Sequence, residues 1–433
     1  MKNEEKQSNP YALIPFGIFI ILFLGSGILT GDFYQMPVLV ALFAAILVAL
    51  GMNRKTKFQT KVMQLAAGGG HPNIILMVVI FLLAGAFASV ADGAGSVEST
   101  VNLGLSFLPP NLLIVGLFVI GCFISISMGT STGTIVALAP IGLGIAQQTD
   151  IGVALAMGAI VSGAMFGDNL SFISDTTIAA VRTQGTEMKD KFKANFFIVL
   201  PAAVITAVIF AFMTSGASAN VNASAPYTII QVLPYLGVLI FALAGANVLL
   251  VLMGGTVFAG MVGLFLGNFG FAEYITLIGT GFTNMQELAM IAILLGGLVE
   301  LIKQNGGIES LLQAVTKRIK TKKGGEAGIA GLVGAVNFAT ANNTISIITA
   351  GPLAKQISET YAIDNRRSAS LLDIFSSSVQ GIIPYGAQLL AVAGVAGISP
   401  VAIVPFCIYP ILLTVSGMLA IIFQFPRNAV NRE

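Results

Sequence analysis

The stretch GAMFGDNLSFISDTT, residues 163–177, sets two carboxylates, Asp168 and Asp175, among Asn169, Ser171, Ser174, Thr176 and Thr177 in otherwise apolar surroundings. Oxygen-bearing side chains are the ligands that hard cations take, and a carboxylate in a water-poor place also accepts a proton. A carboxylate at bilayer depth costs on the order of 3 kcal/mol on insertion scales, so such a group is either near water or kept for a function. The spacing therefore makes Asp168 and Asp175 candidate sodium ligands, with Asn169, Ser171, Ser174 and Thr176 completing a cation- or proton-binding shell. The alternative is structural, because Ser, Asp and Asn are also favoured helix N-caps.

Two short polar tracts, GTSTGT at 129–134 and ATANNTIS at 339–346, interrupt apolar segments in the same way. They supply Thr130, Ser131, Thr132, Asn342, Asn343 and Thr344 as candidate substrate-binding residues, and Gln380 joins them at a later break. Each tract is either the tip of a re-entrant hairpin (111–147 and 327–358), the reading adopted here, or a turn between two full spans. Irregular backbone at membrane depth needs cover from protein or a water-filled cavity. Two more acids lie in apolar runs, Glu300 and Asp373, and are candidate coupling acids. Glu300 is one turn from Lys303 and also reads as a simple i,i+3 pair near the cytoplasmic end.

No enzyme constellation accompanies these residues. The one histidine, His71, reads as a solvated loop residue beside Pro72; Cys122 and Cys407 lie in apolar runs without ligand spacing. No cofactor is expected, and a net charge of +2 without an extended basic patch gives no case for nucleic acid.

The elements that must hold these residues are membrane helices. Of the 433 residues, 56% are hydrophobic and 9% charged, and the mean hydropathy is +0.91, which is the composition of an integral membrane protein. Apolar runs at 11–30, 37–52, 73–91, 193–213, 227–245, 247–266, 287–302 and 401–424 are mostly of the length, about 20 residues, that spans a bilayer as a helix. Lysines and arginines cluster at 2–6, 54–61, 182–193, 303–323, 355–367 and 427–432, whereas 30–36, 94–110, 214–226, 267–286 and 394–400 carry none. With alternating helices every cluster falls on the cytoplasmic side, which puts both termini there and the protein in the cytoplasmic membrane. The basic 317–323 segment reads as an amphipathic helix at the lipid headgroups.

A shift of 212 residues carries Pro140 onto Pro352, Thr130-Ser131-Thr132 onto Asn342-Asn343-Thr344, and FLLAGAF at 81–87 onto ILLGGLV at 293–299. The chain is thus two copies, 1–213 and 227–433, joined by an external linker at 214–226. Their charge-rich and charge-free loops exchange places, so the copies are inverted. Inverted repeats with discontinuous helices form a site near the midplane and belong to secondary transporters. The expected fold is an all-α polytopic membrane protein of two inverted-topology repeats with re-entrant hairpins. Asp168 and Asp175 align with Gln380 and Ala387, so the negative charge lies in one copy only.

GTSTGT followed by GDNLSFISDTTIAA and a basic loop resembles the NhaC-type sodium/proton antiporters, within the ion-transporter superfamily of inverted-repeat carriers. The family pattern has Trp where Thr132 stands and a DKMSP-like string at 168–172, and Asn343-Thr344 is similar to the end of an S-N-T tip signature in related carboxylate carriers. The resemblance implies sodium/proton exchange; the alternative it leaves is a sodium- or proton-coupled carrier of a small carboxylate or amino acid. Sodium, protons, membrane lipid and a second copy in a homodimer are the expected partners.

Overall fold

The computed structural model describes residues 8–26, 29, 36–172, 174–218, 227–317 and 319–426. Of the expected connections, 30–35 and 219–226 lie outside these residues, as do both extreme termini. The first half comprises α1 (Ile14–Ile20), α2 (Val38–Gly51), α3 (Phe58–Gly69), α4 (Pro72–Gly93), α5 (Ser96–Phe107), α6 (Pro110–Met128), α7 (Ser131–Gln148), α8 (Val153–Leu170), α9 (Asp175–Gln184) and α10 (Met188–Met213). The second comprises α11 (Ile229–Leu243), α12 (Val248–Leu266), α13 (Phe271–Gln304), α14 (Gly307–Thr316), α15 (Lys322–Thr340), α16 (Asn343–Thr360), α17 (Asn365–Gln380), α18 (Ala387–Ala396), α19 (Pro400–Ile403) and α20 (Ile408–Phe423). No strand occurs among the described residues.

The repeat is visible in the helix boundaries. α6 to α10 begin at Pro110, Ser131, Val153, Asp175 and Met188, and α15 to α19 at Lys322, Asn343, Asn365, Ala387 and Pro400, each 212 residues later. Two pairs differ: α13 runs unbroken for 34 residues, whereas its first-half counterpart is divided into α3 and α4 at Gly70-His71-Pro72, and α10 runs unbroken for 26 residues, whereas its second-half counterpart is divided into α19 and α20 before Ile408. Pro72 takes a first-turn position, where no N–H is needed. His71 is an exposed residue between the two helices, as its place beside Pro72 predicts, and it also caps α4, its Nδ1 accepting from the Asn73 amide at 3.3 Å.

The two long spans cross at glycines. A side chain at Gly85 would collide with the Gly281 carbonyl, and one at Gly296 would come within 2.9 Å of the Gly68 carbonyl. Residue numbers that rise on one helix and fall on the other make the pair antiparallel. Membrane helices lack a hydrophobic drive to associate, and small residues that admit backbone contact replace it. The same device seats α8 on α6: Gly163 and Gly167 lie against Gly121, Cys122 and Ser125, and the Ser125 hydroxyl donates to the Ala164 carbonyl at 2.6 Å. That contact carries Asp168, the next residue, to the hairpin tip.

Packing between the halves is reciprocal. α9 packs on α16, and its counterpart α18 packs on α7. Hairpins α6–α7 (110–148) and α15–α16 (322–360) are re-entrant, because of where their tips meet. Between the end of the first hairpin and the start of the second the chain crosses by α8–α9, α10, α11, α12 and α13, so the hairpins enter from opposite faces. Their tips nevertheless touch one carboxylate, Asp168, which only tips stopping midway can do.

Not every basic residue is a loop residue. Lys191 is 1% exposed within α10, Arg367 is buried against Glu326 at 3.0 Å, and Lys61 donates to the Leu50 carbonyl at 2.8 Å. The amphipathic helix is also displaced: α14 ends at Thr316, and 319–321 is not helical.

Candidate functional site

Each hairpin turns at a left-handed residue followed by an N-cap. Gly129, at φ +67°, ends α6, and the Thr130 hydroxyl then accepts from the Gly133 amide at 3.3 Å to start α7. In the second half Ala341 occupies the same conformation at φ +48°, and Asn342 Oδ1 accepts from the Ile345 amide at 2.9 Å. A residue with a Cβ pays about 1–2 kcal/mol for that conformation, which glycine avoids. Both caps leave the next residues, Ser131-Thr132 and Asn343-Thr344, at helix N-termini in the protein interior, where partial positive charge collects.

These residues converge on Asp168, at the end of α8 and 2% exposed. Its Oδ1 accepts from the Ser174 hydroxyl at 2.5 Å; its Oδ2 accepts from the Ser131 hydroxyl at 3.2 Å and the Asn343 amide at 3.4 Å. Ser174 in turn shares a hydrogen with the Thr176 hydroxyl at 2.7 Å. Asp175 begins α9, accepts from the Thr176 amide at 3.0 Å and from the Thr344 hydroxyl at 2.5 Å, and so acts in the first helical turn and reaches the opposite hairpin. A cavity of about 120 Å³ is lined by Asp168, Asp175, Thr130, Ser131, Thr132, Asn342, Asn343, Thr344, Gln380 and Gln388, with Asn73 and Met77 of α4 closing one side. No lysine, arginine or histidine lines it among the described residues.

The structure brings Thr130–Thr132, Asn342–Thr344, Gln380, Asp168, Ser174, Asp175 and Thr176 together and turns other expected residues elsewhere. Asn169 does not join the shell of Asp168: its amide donates to Asp373 Oδ2 at 3.0 Å and its Oδ1 accepts from the Tyr409 hydroxyl at 3.0 Å. Ser171 donates to the Ile126 carbonyl at 2.8 Å. Glu300 is remote from the cluster, 3.7 Å from Lys303 and half-buried, the i,i+3 pair that its spacing allowed. Asp373 is fully buried and forms an ion pair with Lys191 at 2.7 Å.

One residue absent from the expected set, Gln388, fills the gap between Gln380 and Ser131. Gln380 Nε2 donates to the Ala341 carbonyl at 3.1 Å and to Gln388 Oε1 at 2.7 Å, and Gln388 Nε2 donates to the Ser131 hydroxyl at 3.0 Å. A chain of amides thus joins the two tips and ends on Asp168. The Ala341 carbonyl can only accept, which orients Gln380 and leaves its Oε1 without a partner at the cavity. Gln388 is one residue past the position aligned with Asp175, and only its spatial partner marks it out.

The Na+/H+ antiporter family matches this chain twice, over residues 11–215 and 216–425. The Na(+)/H(+) antiporter NhaC of Alkalihalophilus pseudofirmus is 24% identical over 99% of this chain and 98% of its own. The protein of the same name from Bacillus subtilis is 27% identical over 83% and 85%, and the malate-2H(+)/Na(+)-lactate antiporter of that organism is 24% identical over 91% and 90%. With two successive matches that together span nearly its whole length and meet at the boundary between its inverted halves, this chain belongs to the Na+/H+ antiporter family.

Proposed function

We propose that the protein exchanges sodium ions for protons across the cytoplasmic membrane, with both termini on the cytoplasmic side and with Asp168 alternately holding the ion and the proton. The observation that carries this reading is the cavity at the meeting of the hairpin tips, where two carboxylates and several neutral oxygens stand without a basic side chain. Such a lining attracts a cation. Its volume of about 120 Å³ suits a partly hydrated ion, since a water molecule takes roughly 30 Å³ in the liquid. Ser131 and Ser174, which now donate to Asp168, present their oxygens to an ion by rotating their hydroxyls.

Transport of a small carboxylate is the second reading, favoured by the helix N-termini at the cavity and by the activity named for the Bacillus relative. The uncompensated charge of Asp168 and Asp175 weighs against it. Purified protein in liposomes carrying a pH-sensitive dye decides between them. Antiport predicts proton movement on addition of sodium alone. Silence toward sodium, lithium and potassium, broken only by added lactate or malate, would replace it with the second reading.

A further inference from the structure

The buried pair Lys191–Asp373 stands behind the cavity, and the exchange at Asp168 makes no use of it. The two side chains are 1% and 0% exposed. Removing both charges from water costs several kcal/mol per ion before their attraction is counted, so the pair is weak as a source of stability. Its surroundings resemble an ion site. The Lys191 ammonium nitrogen lies 2.7 Å from Asp373 Oδ2, 2.7 Å from the Asn169 carbonyl oxygen and 2.8 Å from the Thr177 hydroxyl. A carboxylate, a carbonyl and a hydroxyl are the ligand classes that a hard cation takes. Asp373 Oδ2 also accepts from Asn195 at 2.8 Å, while Asp373 Oδ1 and Asn195 Oδ1, both buried, have no hydrogen-bond partner. The cage therefore offers more oxygen than the ammonium consumes. It is contiguous with the cavity through one peptide, because Asn169 follows Asp168.

We propose that this cage is a second cation site whose occupant is built into the chain. Lys191 is a tethered cation that keeps Asp373 from taking a mobile one, and thereby limits the exchangeable ions to those of the Asp168–Asp175 cavity. The proposal rests on the reading of that cavity as a cation site. It makes Lys191 a positioning residue that sets how many ions the protein binds, separate from the groups that bind them.

Equilibrium binding of radioactive sodium to the purified full-length protein tests it. Lys191→Ala leaves the oxygens in place and removes the tethered charge, so this variant takes up one more equivalent of sodium than the wild type. The paired replacement Lys191→Met with Asp373→Asn removes cage and occupant together and returns the count to the wild-type value. An unchanged count in folded Lys191→Ala, or loss of the wild-type equivalents in the double variant, overturns the proposal. Should Lys191→Ala fold poorly, the mobile ion must replace the missing ammonium: recovery improves in sodium chloride over choline chloride, and equal recovery in the two salts overturns the proposal. The outcomes also separate this idea from antiport itself. A wild type that binds no sodium defeats the antiport reading, whereas a rise from none to one in Lys191→Ala still supports the tethered cation.

Discussion

Asp168 and Asp373 are two buried carboxylates on helices that occupy equivalent places in the two halves, yet their surroundings differ in kind. Asp168 accepts from neutral hydroxyls and an amide at 2.5–3.4 Å and borders a cavity. Asp373 is fully buried and accepts from the amides of Asn169 and Asn195 and from the ammonium of Lys191. A neutral shell leaves charge to be met by a visitor; a charged partner cancels it. Depth in the membrane thus does not by itself mark an exchanging acid. On the proposed reading, what marks it is a charge that no basic side chain cancels, at the edge of a cavity.

The largest effect is expected at Asp168. Asp168→Asn keeps the size and hydrogen-bonding shape but removes the charge, so sodium-driven proton movement in liposomes falls at least about 100-fold, the scale of losing a charged group's direct role. Wild-type exchange in that variant would pass the role to Asp175 or Asp373. The amide chain sharpens the comparison with a smaller effect. Gln388→Leu removes the bonds from Gln380 Nε2 and to the Ser131 hydroxyl, leaving these groups only the Ala341 carbonyl and Asp168; at about 0.5–1.5 kcal/mol per bond the sodium concentration for half-maximal rate rises roughly tenfold with the ion still exchanged, and an unchanged value would reduce Gln388 to packing. Glu300→Gln is expected to do least. Its pair with Lys303 is long and only partly buried, worth about 0–1 kcal/mol as such pairs go, so both the rate and the sodium dependence stay within about twofold, and a larger loss would restore Glu300 as a coupling acid.

Much of this arrangement was legible in the sequence because it depends on helix breaks and on a constant offset. Gly129, Thr130 and Asn342 announce their turns by residue type, and the shift of 212 predicts where the second set falls. Asp168 was conspicuous as an acid beside a break. The reading failed where the break was placed too early. α8 continues through Asn169 to Leu170, so Asn169 lies about 100° around the helix from Asp168 and faces the other half. Lys191 was hidden by Lys189 and Lys193, whose company made all three look like one basic loop. Its partner Asp373 is distant in sequence, and no local spacing connects them. Gln388 was silent for the same reason: an amide in an apolar helix acquires meaning only from Ser131 and Gln380, which the fold supplies.

The exchange of partners between halves, α9 against α16 and α18 against α7, has a consequence for how the molecule is made. The α7 arm emerges from the ribosome some 240 residues before α18, which at about 5–20 residues per second is a wait of roughly 10–50 s. During that interval Thr130 caps α7 and Ser131 has Asp168 of α8 as a partner, but the contact with Gln388 is still missing. Biosynthesis of this protein thus passes through a stage in which the first hairpin already packs on α8 while its α18 face waits for the last spans.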